Sequence, residues 1–282
     1  MALTITTNLS SKIVQNNLNK ATIALNTAIE RMTTGYKINY ASDNAANFSI
    51  ATNWITKLGS IDVAASNASM GVDLLSTVDE NYTLISSHLQ RVRDLTEQAA
   101  NGTYGSQSLA AIKSEITARL DEIDRIADNT EFNGINLMSD SVTSIQLQVG
   151  INDGTNSRIT LGSDVFGSAR ASILLGNMTK SAFVNSATAT STAPSMLTVI
   201  DNALKKVSDR VTNIGSAQNR LNSAIDSLNV QSLNLTSSLS TIRDTDVAQE
   251  SSAYIKAQIL QQASTTLLST ANQSPSVALN LI

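Results

Sequence analysis

The chain has 282 residues, of which 41% are hydrophobic and only 4% aromatic, with a formal net charge of −4. An acidic chain without a run of Lys and Arg lacks the electrostatic footprint of nucleic-acid binding, so no nucleic-acid partner is expected. Zero cysteines and one histidine exclude disulfides, thiolate metal sites and histidine-cluster metal sites. We expect no metal site, no cofactor and no catalytic residues: His88 could be a lone base, but a solvated or interface side chain is the better interpretation, and an enzyme has little support in the sequence. Only two prolines interrupt the chain, which favours extended helices.

The N-terminal segment has none of the features of a cleaved secretory signal. It lacks a basic start followed by a continuous apolar region. No stretch of the sequence approaches the roughly 18 apolar residues of a membrane span. We therefore expect no membrane partner, and a protein that is either cytosolic or exported by a route that reads no cleaved signal.

Apolar residues at alternating steps of three and four predict the first two helices. The first stripe consists of Leu18, Ala21, Leu25, Ala28 and Met32. The second and strongest predicts a helix from Gly71 to Ala100, which the turn residues 101–103 end. Its members are Leu75, Val78, Tyr82, Ile85, Leu89, Val92, Thr96 and Ala99.

A further helix is predicted over residues 106–128, with residues 130–134 as its exit turn. Its stripe consists of Leu109, Ile112, Ile116, Leu120, Ile123 and Ala127. The same segment carries the clustered carboxylates of residues 121–125, which could serve acid/base chemistry. With Arg119 and Arg125 nearby, a solvated salt-bridging face is the better interpretation.

The middle of the chain changes from a helical period to a period of two. Ile145, Leu147, Val149 and Ile151 alternate with polar residues, and Ile159 and Leu161 do so after the turn sequence NDGTN. This pattern predicts a β-hairpin. Residues 176–195 are small, Ser/Thr-rich and nearly uncharged, which is typical of a surface excursion or linker.

Two apolar stripes near the C-terminus complete the pattern. One consists of Leu221, Ile225, Leu228, Ser232, Leu235, Leu239 and Ile242. The other consists of Leu260, Ala263, Leu267, Ala271, Ala278 and Leu281. Each stripe is narrow and must be buried against partners, and an ordinary helical bundle is the simplest arrangement.

The predicted fold is mainly α, a long helical bundle or coiled coil formed by paired N- and C-terminal segments, with a small β-hairpin region in the middle. A chain whose amphipathic helices lie at both ends can pair those ends as a coiled coil. The predicted seam residues of that coiled coil are Leu18, Leu25, Met32, Leu235, Leu239, Leu260 and Leu267.

Arg91 is the most informative single residue on the second stripe's helix. Leu89 and Val92 face the seam, whereas Arg91 and Leu95 lie four residues apart on one flank, together with Leu84, His88 and Gln98. A flank of mixed apolar, Arg and amide character suits a protein interface. The alternative is a solvated Arg91 paired with Glu or Asp. Arg93 projects about 200° away at 100° per residue, so the two arginines need not share a partner.

Several long motifs, in the same order along the chain, resemble bacterial flagellin. In the first half they are ERMTTGYKINYASDNAA, LQRVRDLTEQAANGT and EITARLDEIDRIADNTEFNGINLM. In the second half they are IGSAQNRLNSAIDSLN and KAQILQQASTTLLSTANQSPSVALNLI. The resemblance covers roughly residues 1–160 and 196–282, and several long motifs in sequence are far more specific than one short pattern.

The resemblance implies an architecture for each part of the chain. Residues 1–43 and 244–282 correspond to the terminal coiled-coil domain that forms the filament core. Residues 44–175 and 196–243 correspond to the helical-bundle and β-hairpin domain. Residues 176–195 are then a short variable surface segment. The space between the matched blocks is too short for a domain of typical size, so the chain resembles a short flagellin that lacks large outer domains.

The resemblance also implies a function, partners and a location. It implies a structural subunit, not an enzyme, that polymerises with itself into the bacterial flagellar filament for swimming motility. It implies secretion by type III export into the extracellular filament, with an export chaperone, a filament cap and hook-junction proteins as partners. It further implies recognition of the monomer by the vertebrate Toll-like receptor for flagellin. The subunit-interface and receptor contacts carried over by matching positions are Gln90, Arg91, Leu95 and Glu115.

Three alternatives are weaker. A hook–filament junction protein shares the terminal helices, but the complete LQRVRDL and EITARLDEID blocks favour flagellin. A coiled-coil signalling protein would carry a membrane span or an adaptor domain. A flagellin with a zinc-protease insert needs His-Glu-x-x-His, which one histidine cannot supply.

Overall fold

The computed structural model describes residues 7–139 and 143–279 of the chain. Its helices are α1 (Leu9–Thr34), α2 (Ala45–Ala100), α3 (Ser106–Asn129), α4 (Ala171–Leu174), α5 (Lys180–Ala187), α6 (Ala193–Arg243) and α7 (Val247–Leu279). Its strands are β1 (Glu131–Phe132), β2 (Ile135–Asn136), β3 (Ile145–Gln148) and β4 (Arg158–Leu161). The predicted fold class, mainly α with a small β region in the middle, is confirmed.

The chain divides into two compact units. The first takes in the chain up to Leu58 and from Leu233 onward, and the second is Gly59–Ser232. One boundary between the units lies inside α2 and the other inside α6, whereas the predicted domain boundaries lay near the ends of these helices. The predicted boundaries concern the domains of an assembled filament and stay a prediction.

In the first unit, α1 and α7 pair in antiparallel fashion. Asn8 Nδ2 donates to the carbonyl of Ala271 at 2.7 Å, and Arg31 Nη1 lies 3.7 Å from Glu250 Oε1. The residues buried between the two helices are small: Ala21, Ala28, Ala257 and Ser264. Small side chains let two helices approach closely, and the predicted pairing of the chain ends is confirmed.

The predicted seam is only partly the face along which α1 and α7 meet. Leu18 and Leu25 are half-buried, as are Leu235 and Leu239. Met32 is 37% exposed, and Leu260 and Leu267 are 49% and 57% exposed. Leu260 and Leu267 border the groove between the helices without being buried in it, and the small residues of α7 make the closest approach to α1. That these two leucines are seam residues stays a prediction.

The core of the second unit is built on α2. All eight residues of the strongest predicted stripe are fully buried there. All of them except Thr96 belong to one apolar cluster with residues of α3 and α6, including Ile116, Leu120, Ile200 and Val207. α2 begins at Ala45, far before the predicted start at Gly71. The buried positions of its first half are mostly alanines, which make a weak sequence pattern.

The predicted hairpin is present as β3 and β4, which pair antiparallel with Ile145 opposite Leu161 and Leu147 opposite Ile159. It packs closely against α2, because a Cβ added at Gly71 would collide with Leu147 Cδ1 and lie 3.2 Å from Leu221 Cδ1. Glycine therefore lets the hairpin approach the helix.

A second, two-residue hairpin is formed by β1 and β2. The sequence predicted only a turn there. Asn133 and Gly134 connect the strands with φ of 50° and 78°, the two left-handed positions of a type I′ turn. The Asn-Gly pair was the sequence feature that could have predicted this hairpin.

Residues 176–195 lie largely at the surface but are not a structureless linker. They contain α5 and the start of α6, with Phe183, Val184, Ala187 and Ala193 buried in the second unit. Thr179 caps α5 by accepting the amide of Ala182 at 3.3 Å. Phe183, Val184 and Ala187 form a short apolar face within this Ser/Thr-rich segment. That face is enough to hold one helix on the core.

Candidate subunit interface

Arg91 of α2 and Glu115 of α3 form an ion pair on the surface of the second unit. Arg91 Nε donates to Glu115 Oε1 at 2.9 Å, and both side chains stay more than a third exposed. This hydrogen bond holds the pKa of the Glu115 carboxyl below its usual value. Gln90 is exposed beside them. We call Gln90, Arg91 and Glu115 the Arg91 surface, and it contains three of the four predicted contact residues.

A second arginine joins this pair to the histidine of α2. Arg119 Nη2 lies 3.7 Å from Glu115 Oε1, and its Nη1 lies 3.5 Å from His88 Nδ1. Partial burial and the charge of Arg119 lower the pKa of His88, against an opposing effect of Glu122. His88, Arg119, Glu115 and Arg91 thus form a continuous polar chain across α2 and α3.

Leu95, the fourth predicted contact residue, is not on this surface. It is 2% exposed and belongs to the core of the second unit. The prediction that Leu95 lies on the exposed flank was wrong. Side chains of α3, α5 and α6 surround α2, so α2 buries a wider stripe than the two positions per heptad of a coiled-coil seam. Leu84, at 51% exposure, is the apolar residue that does face outward one turn before His88.

Arg93 has partners different from those of Arg91. Its Nε donates to Asp201 Oδ1 of α6 at 2.8 Å, and its Nη1 lies 3.4 Å from Glu97. Arg91 is paired with α3 and Arg93 with α6, as the angle of about 200° between them predicts. The two arginines therefore tie α2 to two different neighbours.

The carboxylates of α3 form ion pairs with Lys and Arg side chains, and one of them also accepts a hydrogen bond from a backbone amide. Lys180 Nζ lies 2.5 Å from Asp121 Oδ1 and 2.8 Å from Asp124 Oδ2, while Arg170 Nε lies 2.8 Å from Asp128 Oδ1. Asp124 Oδ1 also accepts the amide of Ala171 at 2.8 Å. The expected salt-bridging face is present, but sequence reasoning missed that Lys180 and Arg170, distant in the chain, supply its cations.

The paired helices of the first unit carry many apolar side chains on their outer faces. Those of α1 that are more than 40% exposed are Leu9, Ile13, Ile23 and Ile29. Those of α7 are Val247, Ile255, Ile259, Leu260 and Leu267. An open groove of about 650 Å³ runs between the two helices, with Ala21, Ala257, Leu260 and Leu267 among its lining residues.

Within the described residues, no group of three or more His, Cys, Asp or Glu side chains could hold a metal ion. No helix in that part of the chain is long and apolar enough to cross a membrane. The surfaces that stand out are therefore the Arg91 surface and the apolar outer faces of α1 and α7.

Comparison with known proteins identifies the family. Residues 5–143 match the family model described as the bacterial flagellin N-terminal helical region, and residues 197–282 match the C-terminal helical region. The flagellin of Halalkalibacterium halodurans is 32% identical over 255 residues, which cover 90% of each chain. The chain belongs to the bacterial flagellin family. Flagellins are components of the flagellar filament. The family is a structural one and not an enzyme family.

Other flagellar proteins are similar over most of this flagellin chain. The flagellin of Listeria monocytogenes is 32% identical over 283 residues, covering 99% of each chain. The solved structure of a putative flagellar hook-associated protein from Vibrio parahaemolyticus is 16% identical, with a TM-score of 0.61 over 72% of this chain and all of that one. That similarity shows a shared fold. The match to the Listeria flagellin over its whole length agrees with a short flagellin without large outer domains.

Proposed function

We propose that this flagellin is the repeating subunit of the filament and that copies bury the outer faces of α1 and α7 against one another. The observation that carries the proposal is the exposure of large apolar side chains on α1 and α7. Ile23 is 66% exposed and Ile259 is 59% exposed, while the small residues of both helices face each other. Burying one Ile or Leu side chain contributes about 1.5–3 kcal/mol. Large exposed apolar patches mark interaction sites.

In the proposed contact, one surface of a subunit binds a different surface of its neighbour. Repeating such a contact produces a helical polymer when the subunits do not close into a ring. The Arg91 surface supplies a second contact, in which an arginine held in place by Glu115 meets the neighbouring subunit. Arginine is enriched at interfaces because its planar head forms several directed hydrogen bonds.

We propose that the same Arg91 surface is what the vertebrate Toll-like receptor for flagellin contacts on the free subunit. The support is the exposure of Gln90, Arg91 and Glu115 outside the core of the second unit. Leu95 is fully buried, so its part is to hold α2 in place under the surface and not to touch a partner.

The exposed apolar faces also support the proposed partners before and during assembly. An export chaperone covers α7 while the subunit is inside the cell, and type III export then delivers it to the growing extracellular filament. The filament cap and the hook-junction proteins present faces like those of α1 and α7 at the two ends of the polymer. Covering these faces prevents premature association.

The test is seeded elongation. Purified subunit added to short filament fragments is expected to extend them to long filaments visible by electron microscopy. A variant with Leu260→Ser and Leu267→Ser is expected to elongate poorly with an unchanged far-UV circular dichroism spectrum. Gln262→Ser, on an exposed neighbouring position of α7, is the matched control and should elongate normally. Soluble subunit under all seeding conditions would contradict the proposal.

The same experiment separates the filament subunit from a hook–filament junction protein. A junction protein adds only a short zone, so the added length would stop growing while free subunit remains. Growth in proportion to the supplied subunit supports the filament role.

A further inference from the structure

His88 of α2 contacts Arg119 of α3, and Arg119 lies beside the ion pair of Arg91 and Glu115. The guanidinium of Arg119 can only donate, so the 3.5 Å contact with His88 Nδ1 needs a neutral imidazole that accepts at this nitrogen. A protonated imidazole has N–H groups at both nitrogens and no acceptor. Protonation therefore converts an accepted hydrogen bond into a contact between two cations.

The groups that face His88 decide how it responds to acid. Among the described residues these are Arg119 and Glu122 of α3, with Arg91 one turn further along its own helix. Glu122 could stabilise the protonated form, but its carboxylate is already held by Arg125 at 2.9 Å and 2.5 Å. Partial burial and the charge of Arg119 outweigh the effect of Glu122, so the pKa of His88 lies below its usual value of 6.5.

Arg119 has one other acceptor within reach. Its Nη2 is 3.7 Å from Glu115 Oε1, the same oxygen that accepts the hydrogen bond of Arg91 Nε at 2.9 Å. If Arg119 leaves His88 and moves closer to Glu115, this oxygen accepts from two guanidinium groups, and its hydrogen bond with Arg91 weakens. The geometry thus connects the protonation state of one imidazole to the position of Arg91.

We propose that His88 is an acid switch on the Arg91 surface: its protonation drives Arg119 onto Glu115, releases Arg91, and slows the addition of subunits to the filament. The part of the proposal that concerns assembly rests on the proposed filament function. The release of Arg91 is a property of the free subunit and is measured without assembly.

The switch also has a consequence for stability. The pKa of His88 is lowered in the folded chain relative to its usual value, so the unfolded chain binds this proton more readily. The free energy of unfolding is therefore unaffected by His88 above about pH 6.5 and decreases as the pH falls towards the lower pKa of the folded chain. Protonation of His88 thus destabilises the fold in the same pH range in which it weakens the Arg91–Glu115 pair.

The first experiment follows His88 and Arg91 by NMR in the free subunit. The chain has one histidine, so its imidazole resonances are assigned without ambiguity. We expect the Arg91 Nε–H resonance to shift with the same midpoint as His88. Arg119→Gln is expected to raise the midpoint of His88 and to abolish the shift at Arg91, because Arg119 is the residue that links the two. An Arg91 resonance that does not move while His88 titrates would overturn the switch, whatever happens to filaments.

The second experiment measures seeded elongation from about pH 7.5 to about pH 5.5, the window in which an imidazole titrates. The wild-type rate is expected to fall severalfold, while His88→Gln, which keeps an acceptor for Arg119, should hold its rate across the window. An equal fall in His88→Gln would overturn the switch and leave the filament function standing. Absence of elongation at every pH would contradict the filament function, and the NMR titration would still decide the switch.

Discussion

Arg91 Nε of α2 lies 2.9 Å from Glu115 Oε1 of α3, so the residue most suited to a partner is already held by its own chain. The pair is solvent-accessible, and exposed ion pairs add little to stability. Its effect is to keep the guanidinium in one orientation on the surface. A side chain held in its bound conformation loses less entropy when a partner arrives.

Arg91→Ala is expected to lower the rate of seeded elongation and the activation of receptor-expressing reporter cells, because both proposed partners contact this guanidinium. The melting temperature of the free subunit should stay unchanged, since the pair is exposed. Elongation by electron microscopy, reporter activation at limiting concentration and thermal unfolding are the three measurements.

Arg125→Ala is the matched control for this change. Arg125 is also exposed and also pairs with a glutamate, Glu122, but within α3 and outside the Arg91 surface. At about pH 7.5, where His88 is neutral, this variant should elongate and signal like the wild type. Equal losses in both variants would show that any exposed arginine of this unit matters, and the special role of Arg91 would be rejected.

Gly71→Ala should destabilise the second unit by about 1–3 kcal/mol, the typical effect of overpacking. The added methyl group collides with Leu147 of the hairpin and presses on Leu221 of α6. Gly59→Ala on the same helix is the control, because a Cβ there meets no described atom within 4 Å. It should be stabilising by about 0.5–1 kcal/mol. Urea unfolding measures both, and equal signs would contradict the predicted packing.

Tyr82→Phe should destabilise the fold by about 1–2 kcal/mol. The Tyr82 hydroxyl accepts from Arg210 Nη1 at 2.7 Å, and the same nitrogen donates to the carbonyls of Gly167 and Ser168 at 3.1 Å. Arg210→Met should cost more, since it removes the donor to the Ser168 carbonyl and to the Tyr82 hydroxyl and leaves the Gly167 carbonyl only the 3.5 Å hydrogen bond from Tyr82. The double variant should cost less than the sum of the two single changes. Strict additivity in urea unfolding would show that the two groups do not interact.

Phe183→Ala should destabilise the chain by about 3–5 kcal/mol, the usual cost of truncating a buried aromatic residue. Phe183 is fully buried although it lies in a stretch with the composition of a linker. Ser181→Ala, on the exposed face of the same helix, should change stability by less than about 0.5 kcal/mol. If Phe183→Ala behaved like Ser181→Ala in thermal unfolding, residues 176–195 would be the linker that their composition suggests.

The parts of the fold that follow a strong local period could be predicted from the sequence. The heptad-like stripe from Leu75 to Ala99 is buried at every position, and the hairpin register pairs Leu147 with Ile159. α3 begins at the predicted residue and ends one residue later than predicted. In each case the period alone decides which side chains share a face.

Placement that depends on distant residues could not be predicted in this way. Leu95 is buried because helices from three parts of the chain surround α2, and Leu260 is exposed because α7 turns its small residues towards α1. Lys180 and Asp121 are 59 residues apart, and only the fold brings them together. No local pattern contains this information, since it depends on which helix lies opposite.

The sequence by itself determined the helical class, the β-hairpin and the resemblance to flagellin, because these follow from side-chain period and from long ordered motifs. The tertiary structure alone decided that Arg91 meets Glu115, that Arg119 links this pair to His88, and that α5 packs Phe183 into the core. The physical reason is that a period assigns each residue to a face of its own helix, whereas the partner of that face is set by packing between distant segments.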